Sequence, residues 1–84
     1  MSEQTEDLVG LVRAVVAPLV DHDEDLDITG SETEEGSSLV EVRVNEEDAG
    51  KVIGRQGRVI KAIRTLARAA ASRSDVPVDV ELVE

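Results

Sequence analysis

The apolar positions of this 84-residue chain change period several times, and each change marks a predicted element. Leu8, Val12, Val15, Val16 and Leu19 recur at helical spacing and predict an amphipathic helix over 6–20. Thr5 is placed as its N-cap, Glu6 and Asp7 suit its positive end, and Pro18 marks or kinks its last turn. Residues 21–25 form a polar connection. Leu26 and Ile28, alternating with Asp27 and Thr29, predict a short strand, and the Gly- and Ser-rich stretch 30–38 predicts a turn-rich loop. Leu39, Val40, Val42 and Val44 alternate with Glu41 and Arg43, so a second strand runs to about Asn45 and pairs with the first as a hairpin.

Residues 46–53 begin with acids behind Asn45, a candidate N-cap, and stop at Gly54, the pattern of a two-turn helix ended by glycine. Val59, Ile60, Ile63, Leu66, Ala67, Ala70 and Ala71 then repeat at helical spacing over 58–73. On this helix the apolar members span roughly 140° of arc, at about 100° per residue, with Arg58, Lys61, Arg64 and Arg68 opposite them. Ser74 and Asp75 break the helix, Pro77 opens the last segment, and Val78, Val80 and Leu82 alternate with Asp79 and Glu81 as a third strand. The order α-β-β-α-α-β predicts an α+β domain with helices on one face of a three-stranded sheet.

Composition narrows the picture. A chain this short holds one domain, residues 1–84, with 1–5 expected as a flexible N-terminus. It has no Phe, Tyr or Trp, so its core is aliphatic and thin. It has no cysteine, which excludes disulfides and thiolate metal sites and fits a reducing cytoplasm. The acidic N-terminus and the lack of an apolar run near the ~20 residues of a membrane span predict a soluble, cytoplasmic protein without membrane contact.

A net charge of −10 argues against a polyanionic ligand until it is divided along the chain. Residues 1–49 carry −13 and residues 75–84 carry −4, whereas residues 50–74 carry +7 from Lys51, Arg55, Arg58, Lys61, Arg64, Arg68 and Arg73 with no acid among them. One basic segment therefore lies in an acidic body, as a focused anion site requires. That segment holds Val52-Ile53-Gly54-Arg55-Gln56-Gly57-Arg58. Gly54 and Gly57 bracket a tight turn with Arg55 and Gln56 at its tip, and the missing Cβ atoms let a ligand backbone approach. The turn leads into a helix N-terminus, whose free N–H groups and dipole favour a phosphate.

At these residues the chain resembles the KH domain, whose GxxG loop clamps about four nucleotides of single-stranded nucleic acid. The element order is similar to the type II form of that fold. Pro18-Leu19-Val20-Asp21, Asp48-Ala49-Gly50-Lys51-Val52-Ile53-Gly54 and Lys61-Ala62-Ile63-Arg64-Thr65 resemble the small single-KH-domain bacterial RNA-binding proteins of the KhpA type, over almost the whole chain. The resemblance implies that Gly54, Arg55, Gln56 and Gly57 contact the nucleic-acid backbone, and the acid-free basic stripe of the following helix adds Arg58, Lys61 and Arg64 to the expected site. It places Val52 and Ile53, with Val59 and Ile60, at the floor of a base groove. An aliphatic floor suits a chain that lacks the aromatics on which other single-strand binders stack bases. The resemblance further implies self-pairing, or pairing with a larger KH-containing protein of the KhpB (Jag) type.

Enzyme readings find little support. Gly50, Gly54 and Gly57 match neither a P-loop nor a dinucleotide fingerprint. His22, the sole histidine, stands among acids in a loop. Asp21, Asp23, Asp25 and Asp27 lack the glycine a calcium loop needs at its sixth position, where Leu26 stands. No catalytic residue, metal or cofactor is expected. The expectation is a non-catalytic single-stranded RNA-binding protein, a post-transcriptional regulator or RNA chaperone. The alternative is a protein-interaction subunit, with a second KH-type protein, whose own RNA contact is weak.

Overall fold

The computed structural model describes residues 3–71 and 77–83. Helix α1 (Glu3–Val16) leads through two 3₁₀ turns, Ala17–Leu19 with Pro18 and Asp23–Asp25, to strand β1 (Asp27–Glu32), which turns back as β2 (Ser38–Arg43). A 3₁₀ turn (Glu46–Asp48) opens helix α2 (Ala49–Ile53), the glycine turn follows, and helix α3 (Arg58–Ala70) and strand β3 (Val78–Val83) complete the domain. The break expected at Ser74 and Asp75 lies outside the described residues.

The sheet has the order β1-β2-β3, with β1 antiparallel and β3 parallel to β2. Its alternation is clean: Ile28, Val40, Val42, Val78 and Val80 point into the core, while Thr29, Ser31, Arg43, Asp79 and Glu81 lie exposed on the other side. The core closes against Leu8, Val9, Val12 and Val16 of α1 and Ile60, Ile63 and Ala67 of α3, so both long helices cover one face. The open face carries Asp27, Glu41, Asp79 and Glu81 against Arg43, a net −3 of the chain's −10. Among the described residues no helix is long and apolar enough to cross a membrane.

Three features of the structure depart from what the periodicity predicts. α1 begins at Glu3, inside the stretch expected to be a flexible N-terminus, so Thr5 is no N-cap: it is fully buried and its Oγ1 meets Ser38 Oγ at 3.2 Å and Glu32 Oε1 at 3.2 Å. Tertiary burial of that hydroxyl outweighs its local capping preference. β1 extends to Glu32, and the 30–38 loop shrinks to 33–37, where Gly36 N–H donates to Thr33 O and Thr33 Oγ1 accepts from Ser37 N–H. Pairing with β2 recruits Gly30 and Ser31, whose own strand preference is weak. In α3, Leu66 and Ala70 are exposed, Leu66 at 48%; the apolar arc is wider than the sheet covers.

Candidate nucleic-acid interface

α2 positions the site, and a buried carboxylate positions α2. Asn45 Oδ1 accepts from Glu47 N–H at 2.8 Å and caps the entering 3₁₀ turn, as its sequence position suggested. The next acid, Asp48, is fully buried and accepts from the backbone N–H groups of Asp21 (3.1 Å) and His22 (2.9 Å) and from Lys51 Nζ (3.4 Å). Burial opposes its ionisation, but the Asp21 and His22 N–H groups and the Lys51 ammonium outweigh that and hold its pKa below the usual carboxylate value. Lys51 also pairs with Asp21, which together with Asp48 raises its pKa. Of the seven bases in the central segment, Lys51 is thus committed to fastening α2 onto the connection after α1. The alternation of charges and apolar residues gave no sign of this latch; only the position of Asp48 directly before the apolar run of α2 hinted at it.

α2 ends at Gly54 (φ 78°, ψ 172°), whose N–H donates to Gly50 O at 2.9 Å. Gln56 (φ 58°) and Gly57 (φ 75°) follow with positive φ, so three of four successive residues occupy backbone regions that side chains disfavour. The two glycines do different work. A Cβ at position 54 would lie 2.8 Å from both the backbone nitrogen and the Cβ of Val59, whereas one at position 57 would meet only Lys61 Cε at 3.8 Å and Ile60 Cγ2 at 4.0 Å. Gly54 is therefore the contact through which the turn packs on the first turn of α3, and Gly57 is needed for its φ.

Arg55, Gln56, Arg58 and Lys61 are exposed around this turn. Arg58 Nη2 donates to Gln56 Oε1 at 3.2 Å, which uses the acceptor end of the amide and leaves its donor end for a ligand. α3 begins without a side-chain cap and without an acid in its first turn, so its N-terminal dipole is uncompensated by the protein. Among the described residues Arg55, Arg58 and Lys61 form no ion pair.

The structure separates the other site residues. Val52 is fully buried and Ile60 is 7% exposed, so both lie within the core, and Ile53 and Val59, half-buried, are the aliphatic groups that reach the surface. Arg64 turns away from the glycine turn: its Nε donates to Val80 O at 3.0 Å and lies 3.8 Å from Asp79 Oδ1. Arg68 Nε donates in the same manner to Val78 O at 3.4 Å. His22 bridges Glu47 (3.3 Å) and Glu24 (3.5 Å) on the far side of α2; the Glu47 hydrogen bond raises its pKa against partial burial, with help from Asp48 and Glu24.

A GxxG turn joins two helices, and the strand after them runs parallel to the strand before them. The KhpA/KhpB KH-domain family model matches residues 10–82. The chain belongs to this family. Its relatives include RNA-binding protein KhpA of Listeria monocytogenes, 47% identical over 74 residues that span 88% of this chain and 96% of the relative. The same-named protein of Bacillus subtilis is 42% identical over 92% of this chain and 94% of its own length, and that of Leifsonia xyli 50% identical over 79% and 86%. No solved structure gives a significant match.

Proposed function

We propose that this KhpA/KhpB-family chain binds single-stranded RNA without catalysis, in the cytoplasm, as a post-transcriptional regulator or RNA chaperone. The observation that carries this reading is the uncapped, acid-free start of α3 behind a positive-φ turn that presents Arg55, Gln56 and Arg58. Backbone N–H groups and the helix dipole meet a phosphate there, and the cations on either side hold its neighbours. Ile53 and Val59 offer bases an aliphatic surface. The names of the KhpA relatives support the ligand class. Ultraviolet crosslinking of the tagged protein in cells, followed by sequencing of bound RNA, tests it: enrichment of single-stranded segments over a crosslinked control is expected, and no enrichment would reject it.

A second reading, as a subunit paired with another copy or with a KhpB (Jag)-type protein, is favoured by one observation. Leu66, with Ala62, Ala69 and Ala70, leaves an exposed apolar flank on α3. At about 100° per residue this flank lies on one side of the buried row Ile60, Ile63, Ala67, Ala71, and Arg64 and Arg68 lie on the other. One helix can therefore serve a partner and an RNA strand at once.

A further inference from the structure

α3 and β3 border an open groove of about 460 Å³ lined by Lys61, Arg64, Thr65, Arg68 and Asp79. β3 is an edge strand. Its pairing with β2 uses alternate residues, beginning with Pro77 O accepting from Ser38 N–H, so the carbonyls of Val78 and Val80 face outward. Such groups invite another strand unless something covers them. Here each is covered by one guanidinium: Arg64 Nε on Val80 O and Arg68 Nε on Val78 O. The outward Val80 N–H donates to Asp79 Oδ1 at 2.9 Å.

Edge protection alone does not account for the choice of residue. Capping a carbonyl needs one donor, and a guanidinium has five in a rigid fork. With Nε fixed on the strand, the four Nη–H donors of each arginine are held in a defined plane beside the groove, at low further entropic cost on binding. The two anchoring carbonyls are two residues apart, about 6.6 Å along a strand, comparable with the phosphate repeat of an extended single strand. The groove holds three cations and one carboxylate, and that carboxylate is already engaged by Val80 N–H and lies near Arg64.

We propose that Arg64 and Arg68 form a second phosphate-binding pair that continues the RNA track from the glycine turn along α3 to the Pro77 end of β3. The proposal rests on the RNA-binding reading above and adds Arg68 to the site. From Arg58 to Arg68 is about 15 Å of helix, enough for roughly two to four nucleotides beyond the turn, from a rise of about 3.4 Å when stacked to twice that when extended. The site is therefore longer than the four-nucleotide clamp of a lone GxxG loop.

Fluorescence-anisotropy titrations of the full chain with single-stranded RNAs of four and seven nucleotides test this. Arg68→Gln keeps an amide donor for Val78 O but removes the charge and the fork. It is expected to weaken binding of the seven-mer roughly tenfold, to lower the magnitude of its log-log salt slope by about 0.7, and to leave the four-mer and the melting temperature unchanged. Arg68→Lys, which keeps the charge, is expected to retain the slope. Equal losses in the Gln and Lys variants, or a Gln variant that binds the seven-mer like the parent, would overturn the proposal. If the parent chain binds the four-mer and Arg55→Asp/Gln56→Asp abolishes that binding, the RNA-binding reading survives such a failure. A parent chain that binds neither RNA would overturn both.

Discussion

The backbone nitrogen of Val59 lies 2.8 Å from where any side chain at position 54 would place its Cβ. Gly54 is thus fixed by the packing of one helix on the turn that precedes it, before any ligand is considered. Its φ and ψ fall in a region open essentially to glycine alone. Gly54→Ala is expected to destabilise the fold by about 2–4 kcal/mol from strain and overlap together, and Gly57→Ala, which meets no close neighbour, by about 1–2 kcal/mol from its φ alone. Chemical denaturation of both variants checks the order; equal losses would mean the Val59 contact relaxes without cost.

Arg55→Asp with Gln56→Asp should abolish RNA binding and leave the fold intact. Both side chains are exposed at the tip of the turn, and aspartate tolerates the left-handed backbone of position 56. Two carboxylates there repel phosphate at its closest approach. Circular dichroism and an RNA titration on the same sample decide it, and undiminished binding by a folded variant would move the site elsewhere.

The ligand's charge should be visible in its salt dependence. For a short strand meeting three or four phosphates, the log-log slope is expected at about −2 to −3, from roughly −0.7 per phosphate. Duplex RNA of matched sequence should compete poorly, because paired bases cannot lie against Ile53 and Val59. A flat salt dependence would exclude the electrostatic clamp.

Two titrating groups around α2 set the pH range of stability. Asp48 has a lowered pKa in the folded state, so its contribution is present above the unfolded carboxylate value, near 4, and is lost as pH falls through its lower folded value. His22 has a raised pKa, so its contribution is present below about 6.5 and is lost as pH rises through the folded value. Urea midpoints measured across pH should fall on the acid side, and Asp48→Asn should be less stable at neutral pH and flatter below pH 4. NMR titration of His22, the sole histidine, should give a pKa above 6.5 that drops in Glu47→Gln.

Leu66→Glu should weaken self-association, or association with a KhpB-type protein, while RNA affinity per site changes little, because Leu66 and the Arg64–Arg68 pair flank opposite sides of the buried row of α3. Sedimentation equilibrium over a wide concentration range, with and without RNA and the partner, measures both. A chain that stays monomeric under every condition would defeat the subunit reading and leave RNA binding untouched.

The order of elements, the strand faces and the glycine turn were legible in the sequence because each rests on a local signal: period, alternation or a missing Cβ. The N-cap expected at Thr5 was wrong, and the partners of Asp48 and Arg64 were overlooked, for a common reason. Each spends its polar group on a residue far along the chain, Thr5 on Ser38, Asp48 on Asp21 and His22, Arg64 on Val80, and no spacing rule reports such a partner. The helical period of α3 marked its apolar residues correctly, but how many of them the sheet covers depends on sheet width, which leaves Leu66 outside.

The acidic open face of the sheet has an effect that reaches beyond the surface it occupies. Asp79 belongs to the groove, but β1 lies two strand spacings, about 9.6 Å, from β3, which puts its Asp27 beyond the screening distance of about 8 Å at physiological ionic strength. In such salt an approaching polyanion senses the groove it faces and little of the acids at the β1 side of the sheet. In dilute buffer, where the screening distance grows to about 30 Å at 0.01 M, the same strand also senses those acids, so lowering the salt strengthens binding by less than the groove's cations alone would give. The acidic face therefore flattens the salt dependence at its dilute end without reversing it.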